Sequence, residues 1–120
     1  MSLRQELANR LADYFYINPD TPDEDRHLVI KGEPVRVLVW YLDGVAEDYL
    51  HLVEFMNPQY IVQGKSGVYV GNKPLNYTAY QARVKGFPTA ITLRTLPTAD
   101  EKESFRTELS FVVPRGANKK

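Results

Sequence analysis

The chain contains no cysteine, which excludes disulfides, thiolate nucleophiles and cysteine-ligated metals and fits an intracellular protein. His27 and His51 are the only imidazoles, and their separation is not that of a two-histidine metal site. No apolar run approaches the roughly 18–20 residues that span a bilayer. Arg4, Glu6, Asn9 and Arg10 interrupt any apolar stretch a signal peptide would need, so a cytoplasmic or virion location is expected. One absence is local: from Phe55 to Ala99 there is no Asp and no Glu.

That gap segregates a chain whose formal net charge is zero. Met1 to Glu54 carries 11 acidic and 5 basic residues. Phe55 to Ala99 carries only the cations Lys65, Lys73, Arg83, Lys85 and Arg94, and Asp100 to Lys120 is nearly balanced. Charge of opposite sign in successive segments points to electrostatic contact between surfaces. Aromatic residues are abundant, with eight tyrosines, five phenylalanines and one tryptophan in 120 residues, and tyrosine suits both strands and interfaces. The length fits one domain, and 43% hydrophobic with 25% charged residues is the composition of a folded soluble chain.

Ser2-Leu3-Arg4-Gln5 reads as a capping box, and Leu3, Leu7, Leu11, Tyr14 and Phe15 recur at helical spacing. The pattern predicts an amphipathic helix over residues 1–17, ended by Asn18-Pro19, then an acidic loop from Asn18 to Arg26. Strand-like segments follow from residue 27 to 113, with residues 114–120 as a tail. His27 to Lys31 and Val35 to Leu42 join through Gly32-Glu33. In the second, Val35, Val37, Val39 and Tyr41 share one parity and Leu38, Trp40 and Leu42 the other, which predicts a strand covered on both faces. Asp43-Gly44 marks a turn, and Tyr49 to Met56 is compatible with strand or short helix. Gly64-Lys65-Ser66-Gly67 reads as a hairpin turn between Tyr60–Gln63 and Val68–Val70, and Asn72-Lys73-Pro74 as another turn. Tyr77 to Lys85, Thr89 to Leu96 and Arg106 to Val113 are the remaining strands. One helix and about seven short strands predict an α+β, mostly β domain, the helix packed on an antiparallel sheet curled into a sandwich or partly open barrel. Leu7, Leu11, Val37, Val39, Ile91, Leu93 and Phe111 are its expected core.

No motif carries catalysis. Gly64-Lys65-Ser66 lacks the preceding glycine of a phosphate-binding loop, since Gln59 stands there, and a strand follows where a helix is needed. Asp20, Asp23, Glu24 and Asp25 lack the alternating spacing and central glycine of a calcium loop. Asp43, Glu47 and Asp48 near His51 have no activated nucleophile beside them. No metal or cofactor is therefore expected, and no enzymatic activity. Tyr60, Tyr69, Tyr77 and Tyr80 interleave with the five cations, as in a surface that stacks nucleobases, although Tyr80 lies on the parity opposite Tyr77, Arg83 and Lys85.

The sequence expectation is a non-enzymatic structural or interaction module, a small subunit of a larger assembly such as a phage or virus particle, associating with copies of itself or other subunits. Its tentative contact residues are Lys65, Lys73, Tyr77, Arg83, Lys85 and Arg94 on the basic side and Asp20, Asp23 and Asp25 on the acidic side. Single-stranded nucleic-acid binding is the second reading, and a small-molecule binder or enzyme with a site assembled from scattered residues the third. No membrane partner is expected.

Overall fold

Ser2 caps the first element: its hydroxyl accepts from the Gln5 backbone N–H at 3.1 Å, and helix α1 spans Leu3–Ala12. The computed structural model describes residues 2–70, 73–97 and 105–114, with side chains for all of these except 66–70 and 73–76. The reciprocal half of the capping box is not made, because the Gln5 side chain donates instead to Asn9 and Asp20. The helix also stops five residues earlier than the periodicity predicts. Aromatic and β-branched residues are weak helix formers, and Asp13-Tyr14-Phe15-Tyr16-Ile17 contains little else. The stripe nevertheless continues to its end, for Phe15 is as buried as Leu7 and Leu11.

Strands β1 (Glu24–Ile30) and β2 (Glu33–Asp43) form a hairpin closed by Lys31-Gly32. Both turn residues have positive φ, 52° and 82°, the combination a two-residue hairpin matching the strand twist requires. A 3-10 turn (Ala46–Tyr49) and helix α2 (Leu50–Glu54) then precede β3 (Pro58–Val70), β4 (Lys73–Val84), β5 (Ile91–Pro97) and β6 (Phe105–Val112). The six strands make one sheet in the order β1-β2-β6-β5-β4-β3, antiparallel at every junction. Among the described residues it is a single open sheet, not closed into a barrel and without the second sheet of a sandwich.

Six strands replace the expected seven because Gly64-Lys65-Ser66-Gly67 does not turn. Residues 58–70 run as one strand whose register shifts once, between Pro58 and Tyr60, and is continuous from Tyr60 onward, with Gly64 opposite Ala79 and Lys65 opposite Thr78. A hairpin turn needs positive φ, which Gly64 does not adopt; its small size leaves open space instead. Of the expected turn at Asn72-Lys73-Pro74, Lys73 and Pro74 belong instead to β4, paired with Val70 and Tyr69, and Asn72 lies outside the described residues.

The register sorts side chains onto two faces. Leu38, Trp40 and Leu42 of β2 share a face with Leu109 and Phe111 of β6, Ile91 and Leu93 of β5, and Tyr80 and Ala82 of β4. These join Leu7, Ala8, Leu11 and Phe15 in one buried cluster. Trp40 and Phe111 stack with centroids 6.1 Å apart, Phe87 meets Phe111 edge-on, and the indole N–H donates to the Asn18 carbonyl at 2.9 Å. Of the expected core, Leu7, Leu11, Ile91, Leu93 and Phe111 belong to this cluster. Val37 and Val39 do not, because their parity places them on the opposite face; Val39 is fully buried there and Val37 half-buried. Gly86, at φ +88°, lets Arg10 reach across, its guanidinium donating to the Gly86 carbonyl at 2.8 Å. A Cβ at that position would lie 2.2 Å from the Arg10 Nη2. No helix among the described residues is long and apolar enough to cross a membrane.

Candidate interaction surfaces

The strand order turns a segregation along the chain into a segregation across the sheet. β1, which begins at Glu24 and so takes in Glu24, Asp25 and Arg26 of the expected acidic loop, is one outer strand, and β3, within the acid-free segment, is the other. Among the described residues no strand pairs with the outer side of either. An outer strand presents unpaired backbone N–H and C=O groups, and proteins usually blunt it with charge, proline or a bulge. β3 carries such devices at its start, Pro58 and a register irregularity between Pro58 and Tyr60, but beyond them Tyr60 and Val62 are exposed by about half, and β1 ends in Leu28, Val29 and Ile30, exposed by 43, 74 and 49%. The register puts Leu28, Ile30, Tyr60 and Val62 all on the face opposite the core cluster, Leu28 across from Val35 and Val62 across from Gln81.

Within the acidic set the carboxylates are held differently. Arg36 binds Asp25 with both arms of its guanidinium, which, with His27 beside it, keeps the Asp25 carboxyl below the usual carboxylate range despite partial burial. Asp23 accepts from the Tyr41 backbone N–H at 2.7 Å, and Asp20 from the Gln5 side chain at 2.9 Å. Neither Asp20 nor Asp23 has a cation within 4.0 Å among the described residues, so both keep unneutralised charge beside β1. On the other side Lys65 and Lys85 are exposed and have no carboxylate partner among the described residues. Lys73 lies outside the described side chains, as does Tyr69.

Between the two edges, the face opposite the core cluster carries an ionic network that sequence reasoning missed. Glu108, 4% exposed, lies under Arg26 at 2.7 Å and Arg94 at 3.2 Å. Arg26 also binds Glu24 and the Tyr41 hydroxyl, Tyr41 hydrogen-bonds Glu24, and the Arg106 guanidinium lies 3.9 Å over the Tyr41 ring. The Arg26 and Tyr41 hydrogen bonds hold the Glu24 carboxyl below its ordinary value, and burial raises the Tyr41 phenol. The available signal was Glu108 itself, an acid between Thr107 and Leu109 in an interior strand, where an unpaired charge would be very costly.

Tyr77, Arg83 and Arg94 share this face with Tyr60, which sits directly across from Arg83. Tyr80 does not: its ring is in the core cluster and its hydroxyl donates to Glu47 at 3.0 Å. Glu47 is thus bound by Tyr80, and Asp48 accepts from the Val45 backbone N–H. The structure thus brings part of the basic, aromatic set together; Lys65 lies on the outer strand farthest from the acidic set, while Arg94, on interior strand β5, is tied to Glu108 beside Arg26 of β1. Compared with known proteins, the chain matches no family model, no curated protein and no solved structure.

Proposed function

We propose that this chain is a non-enzymatic assembly subunit that associates with copies of itself through oppositely charged surfaces. One observation carries the reading: the sheet order sets an acidic and an acid-free segment at opposite outer strands, both bearing exposed apolar side chains. Apolar contact area supplies the attraction, and complementary charge supplies orientation and encounter rate. A repeated structural subunit, as in a virus particle, is the kind of protein such surfaces suit, by analogy of architecture alone. Sedimentation velocity at low and high salt tests the proposal. Association that weakens as salt rises is expected, because exposed charges are screened beyond about 8 Å at physiological ionic strength. A strict monomer at high concentration and low salt overturns it.

A second reading, single-stranded nucleic-acid binding, is favoured by Tyr60, Tyr77, Arg83 and Arg94 sharing one face, where rings can stack bases and guanidiniums can meet phosphates. A labelled oligonucleotide in the same sedimentation runs separates the two. Binding that is lost with Tyr60→Ala, from a protein that stays monomeric, supports the second reading against the first.

A further inference from the structure

Two outer strands allow three junctions between copies: β1 with β1, β3 with β3, or β1 with β3. The first sets Glu24, Asp25 and the Asp20–Asp23 loop of both copies along one seam. The second sets Lys65 beside Lys65 with no carboxylate from residues 55–99 on either side. An antiparallel β1 pair sets Glu24 and Asp25 across from the apolar end of the other copy, and both acids are already bound by Arg26 and Arg36. Each symmetric junction therefore joins surfaces of one charge sign and gains no electrostatic attraction. The third sets acid against base.

Strand direction agrees with the third junction. Five successive antiparallel junctions separate β1 from β3, so the two outer strands run in opposite directions. A second copy added alongside without inversion therefore presents its β1 antiparallel to β3 of the first. Its core face stays on the same side, and the ladder continues in its more stable form. The side chains match as well. Leu28 and Ile30 of one copy come beside Tyr60 and Val62 of the next, all on the face opposite the core cluster. We propose that copies of this chain join head to tail by pairing β1 of one with β3 of the next. The junction is not self-complementary, so each added copy exposes a fresh β1 or β3, and growth yields a twisted stack or a ring rather than a closed dimer. This rests on the self-association proposed above.

The test uses two exposed positions that hold no internal bond. Asp23 and Asp25 are unsuitable, since reversing either breaks its bond to the Tyr41 N–H or to Arg36. Leu28→Lys turns the acidic outer strand toward the charge of its partner, and Val62→Glu, on the same face of the sheet, does the same for the basic one. Each variant alone is expected to associate at least about tenfold more weakly than the parent, because like charge now faces like. Mixing the two should restore association, since one junction in the mixture is unaltered and the other pairs lysine with glutamate. Recovery in the mixture also shows that both variants fold. If Val62→Glu alone still associates like the parent, β1 pairs with β1. If Leu28→Lys alone does so, β3 pairs with β3. Either result, or a mixture that stays monomeric, overturns the head-to-tail junction while self-association stands. A parent chain that is monomeric under every condition removes the underlying reading as well.

Discussion

Replacing Glu108 by glutamine removes one charge from the ionic network and almost no volume, so the change in stability reports electrostatics and not a cavity. Glu108 is 4% exposed, while Arg26 and Arg94 keep 30% and 33% of their side-chain surface in water. A hydrogen bond to a charged group contributes about 1.5–3 kcal/mol against about 0.5–1.5 for a neutral pair, a difference of about 1 kcal/mol per bond. Two guanidiniums lose that difference, and their partial exposure returns some of it through hydration. Glu108→Gln should therefore cost about 1–2 kcal/mol, and Glu108→Leu, which leaves both guanidiniums without an acceptor, about 2–4 kcal/mol. Urea unfolding followed by Trp40 fluorescence measures both. Added salt should not abolish the loss, since a buried pair is screened far less than a surface one. Combining Glu108→Gln with Arg94→Gln should cost less than the sum of the two, because Arg94 then has no charge left to miss. A loss below about 0.5 kcal/mol for Glu108→Gln, the range of ordinary surface changes, would refute the reasoning and show that the carboxylate contributes little.

Ile91→Ala, at a position 1% exposed within the core cluster, should cost about 3 kcal/mol, and Val39→Ala on the other face about half of that. Denaturant midpoints decide, and equal losses would mean that the two faces are packed alike. Glu24 and Asp25 have folded-state values held below their ordinary 4.5 and 3.8, so the stability they contribute is complete above those values and is lost as pH falls through the folded-state values. A urea midpoint that declines once pH drops below about 4 is expected, and Arg36→Gln should flatten part of that decline by freeing Asp25.

The sequence made some of this legible, and the failures have physical causes. The cap at Ser2, a hairpin one residue before the expected Gly32-Glu33 and the two faces of β2 follow from local rules, because hydroxyl capping, positive φ and strand parity act within a few residues. Which face of β2 meets the main core depends on what the rest of the chain brings there, and Val39 is buried in either case. Gly64 to Gly67 misled because glycine pairs signal a turn only when the chain adopts positive φ, whereas here they lie within a long outer strand. The apolar run Leu28-Val29-Ile30 marks a strand without saying where it lies in the sheet, and only the strand order reveals it as an outer edge. The charge segregation was visible from residue counts alone. Its projection onto opposite outer strands required the topology, since β3 follows β2 in the chain yet lies four positions away in the sheet. The Glu108 network needed it too, because Arg26, Arg94 and Glu108 meet only when β1, β2, β6 and β5 are aligned.

The same strand order divides the molecule into two stretches that are each local in sequence. The β1–β2 hairpin forms one, and the run from β3 to β6, each strand beside its successor, forms the other. They meet along one line, between β2 and β6, where partners from Asp43↔Arg106 to Val37↔Val112 stand 63 to 75 residues apart. Closing so long a loop costs chain entropy before any contact repays it, whereas the hairpins close cheaply. The β2–β6 line therefore sets the kinetics: each half can assemble on its own timescale, and productive folding waits for the two to dock. The residues that reward docking sit on that line, Leu38 against Phe111 and Trp40 against Leu109, which makes it the step most sensitive to a change in the shape of those four side chains.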